Sequence, residues 1–331
     1  MYPNFVYTSG ADNVSYVAGD CEKSHGVRRD SPLGVVCCAK GGCVPQEADL
    51  SAVAAMAARH VQSIIPTDMT GNCVLDHEQW KPIVVPELKF AGYCPAEYML
   101  PKSDGDWRPL PTPKALVEGE TLWFNYSLGL VRAKKPHLTL AEAEAVAAQE
   151  FLSAAVAVYV TVLRVAKTTR PRCHWGYWGP NGLCSWHRLC TNQTATSGDP
   201  LCGFENPQYK RRIWNFTQQQ LPIIEASDAL FPELYLESPL RDSGYSLATI
   251  GYRRGEMRSI VGQAVAAAEL VGGRPVLPFV RTFCYLGALA CYDKSRNSSK
   301  EISKWGIEAG LTVPYEMGAA GVVIYQEQEA V

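Results

Sequence analysis

Gly71-Asn-Cys-Val-Leu-Asp-His-Glu-Gln-Trp-Lys-Pro82 is the stretch on which the reading of this chain turns. Cys73-Val-Leu-Asp76 is a short apolar run ending on an acid, the pattern of a buried strand. A turn from Pro66 to Gly71 leads into it. Before the turn, Asp49 is placed to cap a helix through Ile65, with Leu50, Val53, Ala57, Val61 and Ile64 on one stripe. Residues i and i+2 of a strand point to the same side. Asp76 and Glu78 therefore share a face, and His77 points to the other. Two carboxylates held close repel, so one keeps its proton near neutral pH. Such a carboxyl can protonate a departing glycosidic oxygen. The D-x-E pattern is common by chance on solvated loops, and the apolar strand leading into it is what gives this copy weight. A histidine beside two carboxylates would suit a metal ion, but alternation turns His77 away. No metal and no cofactor is expected.

Working outward, strand and helix signals alternate. Residues 81–138 are rich in Pro and Gly with little periodicity and read as a long surface excursion. Thr139-Leu-Ala-Glu142 is a capping box that starts the longest helix, to about Lys167. Arg170-Pro171 ends it, and Cys173-His-Trp-Gly-Tyr-Trp178 is the next strand. A cysteine-bearing loop at 179–208 is followed by a helical stretch near 209–227, the strand Glu233-Leu-Tyr-Leu236, and a helix over about 246–271. The strand Val276 to Phe283, a helix near 300–310 and the strand Gly321-Val-Val-Ile-Tyr325 complete the series. This order argues for a parallel sheet, and five strands each ending in an aromatic or acidic residue favour an α/β barrel as a single domain over 1–331. Barrel enzymes carry their chemistry at the C-terminal strand ends, where Asp76, Glu78, Trp178, Tyr235 and Tyr325 fall.

Bulk properties narrow the classes. A formal net charge of -2 gives no support for nucleic acid as a partner. The short basic run Lys210-Arg211-Arg212 reads as a solvated helix face. The longest apolar stretch, Phe151 to Leu163, is too short to span a bilayer and reads as a core helix, so no transmembrane segment is expected. The 12 cysteines lack C-x-x-C spacing, which favours disulfides over zinc. Glycosylation sequons at Asn13, Asn125, Asn192, Asn215 and Asn297 agree with a secretory-pathway destination: secreted, lysosomal or cell-surface. Met1-Tyr-Pro-Asn lacks the basic start and apolar run of a signal peptide, so either the chain is mature or truncated or the secretory-pathway reading is wrong.

The 71–82 stretch resembles the signature of the hyaluronidases, glycoside hydrolase family 56: an apolar strand, Asp-x-Glu, an acidic or amide residue, Trp, a basic residue and Pro. Gly41-Gly-Cys-Val-Pro-Gln46 and Ile65-Pro66 upstream are similar to the same family. So, in order, are Arg170-Pro171 with Trp175-Gly176, Ala229-Leu-Phe-Pro-Glu-Leu-Tyr235, Pro275-Val-Leu-Pro-Phe279 and Gly318-Ala-Ala-Gly-Val-Val-Ile-Tyr325. The resemblance runs from about residue 40 onward. It implies a distorted TIM-like (β/α)7-type barrel with a groove across its C-terminal face. It also implies substrate-assisted hydrolysis of N-acetylhexosamine polymers with retention. On that model Glu78 is the general acid and then the general base. Asp76 holds the acetamido group, and Tyr235 hydrogen-bonds near its carbonyl. Cys184 resembles the first cysteine of the family's loop disulfide. Its partner is Cys202 or Cys190, with spacing favouring Cys202.

The departures from the family pattern are specific. His77 stands where Trp is usual, Trp178 and Phe279 where Tyr is usual, and Tyr325 where Trp is usual. All three strand-end positions stay aromatic, so a stacking surface for sugar rings is kept while two hydroxyls are lost and one is gained. Arg281, with Arg241, Arg253 and Arg254, is a candidate for meeting substrate carboxylates. Asn4-Phe-Val-Tyr-Thr8 looks like the family's second strand, with no first strand ahead of it. The chain stops before the closing helix, so either it is a fragment or other elements fill the gap. The implied function is an endo-β-N-acetylhexosaminidase acting on hyaluronan or chondroitin. The alternative is a catalytically weak glycan-binding or surface-recognition protein on the same scaffold.

Overall fold

A computed structural model describes residues 27–28, 36–37, 44–76, 81–85, 90–91, 99–101, 107–109, 114–179, 190–194, 198–234, 247–281, 292–293, 298–299 and 304–325. In chain order the principal elements are α1 (Leu50–Ile64), β1 (Gly71–Leu75), α2 (Lys114–Lys134), α3 (Leu140–Thr169), β2 (Cys173–Tyr177), β3 (Cys190–Thr194), β4 (Pro200–Cys202), α4 (Pro207–Gln219), α5 (Leu221–Ala226), α6 (Leu247–Leu270), β5 (Phe279–Arg281), α7 (Lys304–Glu316) and β6 (Val323–Tyr325). Backbone contacts divide the mixed α/β chain into two compact units, Met1–Tyr177 with Gln218–Asp228, and Trp178–Thr217 with Ala229–Val331.

In the first unit β1 and β2 run parallel, paired from Gly71↔Cys173 to Leu75↔Tyr177. Helix α1 starts where the Asp49 side chain accepts from the Ser51 and Ala52 amides at 2.9 and 3.2 Å. Its buried stripe is Val53, Ala57 and Val61. Helix α3 starts on the capping box: Glu142 N–H donates to Thr139 Oγ1, and Thr139 N–H donates to the Glu142 carboxylate. The Thr139 hydroxyl, donating to the Glu142 carboxylate at 2.7 Å, and then the Thr139 N–H hold that carboxyl below its ordinary value. By length and composition α3 would be able to cross a bilayer. Here Phe151, Ala155, Val158, Tyr159, Val162 and Leu163 are buried in the core shared with α1, β1 and β2. Arg170 closes the layer, donating through Nε to Ile65 O at 2.7 Å and through Nη2 to Gln62 O at 3.2 Å. A disulfide joins Cys73 of β1 to Cys173 of β2, Cα atoms 5.6 Å apart.

In the second unit the parallel theme continues. Trp178 bridges to Phe231, Leu230 to Val276 and Glu233 to Phe279. β5 pairs with β6 in register from Phe279↔Val323 to Arg281↔Tyr325. Leu234, Met257, Ile260, Val261, Val280, Ala309 and Val313 form a core among this sheet, α6 and α7. β3 and β4 are antiparallel, with Cys190 opposite Cys202.

Three local expectations are corrected. Residues 81–138 are not all surface excursion, because α2 occupies 114–134 and buries Phe124, Ser127 and Val131. Its Gly, Ser, Asn and aromatic residues are poor helix formers, and packing against α3 overrides them. The single helical stretch near 209–227 is two helices: Pro222, at the start of α5, has no N–H to extend the α4 ladder. The last helix runs on to Glu316, with Pro314 inside it.

Candidate active site

Asp76 follows β1 directly, at the C-terminal end of a parallel strand. It is half-buried, and its Oδ1 is shut off from solvent. Several covalent and polar ties fix the strand pair beneath it. The Cys73–Cys173 disulfide joins the two strands. Trp175 N–H donates to Asp228 Oδ2 at 3.0 Å, and Asp228 N–H donates back to Trp175 O at 2.7 Å. Lys167 pairs with the same Asp228 at 2.7 Å. Two tyrosines form the floor. The Tyr177 hydroxyl donates to Tyr159 O at 3.1 Å, and the rings lie 4.6 Å apart. Tyr159 is 1% exposed. Burial first, then Tyr177 and the negative charge of Asp76, push its phenol well above its ordinary value. It therefore stays a neutral hydroxyl beside the carboxylate. A half-buried acid against buried phenols, at the mouth of a parallel strand pair, is a setting in which a carboxylate can hold a polar group of a substrate.

In the second unit Trp178, Phe231 and Phe279 come together. Trp178 is half-buried and paired to Phe231, whose ring meets that of Phe279 edge-on at 6.0 Å and 79°. Phe279 is 3% exposed. Arg281 and Tyr325 are directly paired in the β5–β6 register. Arg253 is taken up by Glu256 at 2.7 Å, and Arg254 by Asp199 at 3.1 Å and Glu316 at 3.0 Å. Those two charges are spent within the fold. Cys202 is buried and disulfide-bonded. Glu78, His77, Tyr235, Cys184 and Arg241, the strand at 4–8 and the side chains of Arg281 and Tyr325 lie outside the described residues. Among the described residues no cluster of His, Cys, Asp and Glu is arranged to hold a metal ion.

Glu233 is a carboxylate that the sequence reading passed over. It sits on the segment bridged to Phe279, and its Oε2 lies 4.0 Å from where a Cβ of Gly179 would sit. Gly179 has a φ of 73°, a conformation that favours glycine. The signal was present in the sequence: Glu233 and Tyr235 stand in the same i, i+2 relation as Asp76 and Glu78.

The chain belongs to the hyaluronidase family, whose pattern matches residues 105–331, more than half of its length. That match begins after Asp76 and Glu78. Pairwise similarity reaches further. Hyaluronidase-1 of Homo sapiens is 26% identical over 289 residues, covering 87% of this chain and 53% of that protein. Hyaluronidase PH-20 of Cavia porcellus is 22% identical over 284 residues, covering 86% and 43%. The chain thus spans about half the length of the curated relatives it matches. Its fold is like the crystal structure of bee venom hyaluronidase, with a TM-score of 0.56 at 20% identity over 91% of this chain and 76% of that one. The bee venom enzyme in complex with a hyaluronic acid tetramer matches equally, with a TM-score of 0.56 at 21% identity over 90% and 74%.

Proposed function

We propose that this chain is the catalytic part of an endo-acting β-N-acetylhexosaminidase that hydrolyses hyaluronan or chondroitin. The observation that carries the reading is Asp76, half-buried at the C-terminal end of β1 and two residues before Glu78, in a chain of the hyaluronidase family. The fold in this reading is a distorted (β/α)7-type barrel, supported by the parallel pairs β1–β2 and β5–β6 and by the likeness to bee venom hyaluronidase.

The mechanism is substrate-assisted. The acetamido carbonyl oxygen attacks C1, and the bond from C1 to the departing sugar oxygen breaks. Glu78 gives that oxygen its proton. Asp76 orients the acetamido group and offsets the positive charge that develops on it, with Tyr235 hydrogen-bonding near the carbonyl. Water then attacks C1, Glu78 takes its proton, and the acetamide is restored with net retention. Trp178 and Tyr325 contribute to sugar binding, Phe279 lies buried against Phe231, and Arg281 meets substrate carboxylates. Disulfide bonding at Cys73, Cys173 and Cys202, together with the sequons, supports a secretory-pathway location.

A second reading, a glycan-binding protein with weak catalysis, is favoured by the altered aromatics at 178, 279 and 325. One panel separates the two: reducing-end release from hyaluronan, chondroitin and an uncharged N-acetylglucosamine polymer, beside a binding measurement on each. Release from the anionic polymers supports the hydrolase. Binding without release supports the second reading. Release from the uncharged polymer alone rejects the proposed substrate.

A further inference from the structure

Helix α4 has two working faces. One buries Ile213, Phe216 and Thr217, with Gln263 of α6 donating to the Thr217 hydroxyl at 2.9 Å. The other carries Pro207, Lys210, Arg211 and Trp214, spaced i, i+3, i+4 and i+7, and so aligned along one side of the helix. These four, with Phe204 and Ala266, line a cavity of about 470 Å³. Phe204 and Trp214 are tilted against each other with centroids 5.7 Å apart. Lys210 Nζ stands 4.9 Å above the Phe204 ring. Phe204 is buried, Trp214 is half-buried, and Lys210 and Arg211 are exposed.

The charges around this hollow are unbalanced. Glu205, the nearest acid in sequence, is held by Arg258 through two hydrogen bonds at 3.0 and 2.8 Å. Arg253 and Arg254 on α6 are likewise paired to carboxylates. Neither Lys210 nor Arg211 makes a salt bridge among the described residues. Among the described residues, two cations without a carboxylate partner thus border an aromatic hollow on the outside of a helix.

We infer that this cavity is a carbohydrate-binding site, separate from the Asp76 centre, for a uronate-bearing polysaccharide. The apolar C–H face of a pyranose ring lies on Trp214, beside Phe204, and its carboxylate takes the charges of Lys210 and Arg211. Charge complementarity selects an anionic chain, and the paired aromatic surface selects a ring over an extended acidic peptide. The site goes beyond the proposed hydrolase activity. It would add affinity for the polymer through contacts of its own, without touching bond cleavage.

The test uses the full chain, a Lys210→Ser/Arg211→Ser variant and a Trp214→Ala variant, each checked for folding by circular dichroism. The polar variant changes only exposed side chains, so it keeps the test open if Trp214→Ala does not fold. Equilibrium binding is measured with high-molecular-mass hyaluronan, chondroitin sulfate, a hyaluronan tetrasaccharide and polyglutamate. The expected result is that affinity for a uronate polymer falls roughly tenfold in the double variant. Turnover of the tetrasaccharide stays at the parent's level, and added salt weakens polymer binding by the parent more than by the variant. Unchanged polymer affinity in the double variant overturns the inference. So does polyglutamate binding as tightly as the polysaccharides and being lost with them, which would assign the surface to an acidic peptide. If the parent binds polymer through this site but cleaves none, the site stands and the hydrolase reading falls. If it cleaves polymer and the double variant binds as the parent does, only the site falls.

Discussion

Tyr159 sits in the core beneath Asp76, and burial there has a consequence that titration can read. Its phenol stays neutral in the folded chain well above the ordinary value of 10.0, whereas in the unfolded chain it ionises near that value. The folded state therefore binds more protons above about pH 10, and stability is lost as pH rises from there toward the folded pKa, by about 1.4 kcal/mol per pH unit for this group. Below pH 10 the contribution is fully present. Tyr159→Phe is expected to flatten the alkaline fall of stability, measured as urea unfolding free energy between pH 9 and 11. A variant curve parallel to the parent's would show that Tyr159 does not carry the effect. Asp76 was legible in the sequence because strand alternation and an apolar approach are local properties. Its phenolic floor was not, because Tyr159 and Tyr177 meet only once α3 lies across β2. The basic run at 210–212 shows the same boundary. That Lys210 and Arg211 are exposed was readable, but that they border an aromatic hollow depends on Phe204 and Ala266.

At the scale of elements, two contacts hold the framework. The Cys73–Cys173 bond closes a sequence separation of 100 residues between neighbouring strands. Replacing both cysteines by serine is expected to cost about 2–5 kcal/mol, read as a lowered urea midpoint under non-reducing conditions. No change in midpoint would mean that β1 and β2 stay paired without the bond. This pairing could not be read from the sequence, because cysteine positions alone do not give connectivity. In the second unit, α6 approaches β4 so closely at Gly255 that a Cβ there would lie 2.5 Å from Pro200 O and 2.8 Å from Cys202 Sγ. Gly255→Ala is expected to destabilise by about 1–3 kcal/mol in thermal or urea unfolding, because the obstacle is backbone and a buried sulfur. A neutral result would show that the helix shifts freely. Helices α1 and α3 were foreseen because each combines a capping residue with a regular apolar stripe, whereas α2, rich in Gly, Ser, Asn and aromatic residues, is set by packing against α3.

For the molecule as a whole, membership of the hyaluronidase family follows from residues 105–331, while the proposed chemistry rests on Asp76 and Glu78, which precede that stretch. The collinear motifs made the family legible because several fall where elements end: Leu75 ends β1, Arg170 caps α3 and Tyr325 ends β6. The altered positions at 178, 279 and 325 were equally legible, but their effect on substrate choice depends on the shape of a filled site. The most direct measurement is reducing-end release from hyaluronan and chondroitin by the parent and by Glu78→Gln, with equal folding and equal polymer binding verified for both. With Glu78 as the proton donor, release is expected to fall by about 10²- to 10⁴-fold while binding is kept. Cleavage by Glu78→Gln at the parent's rate would contradict the account.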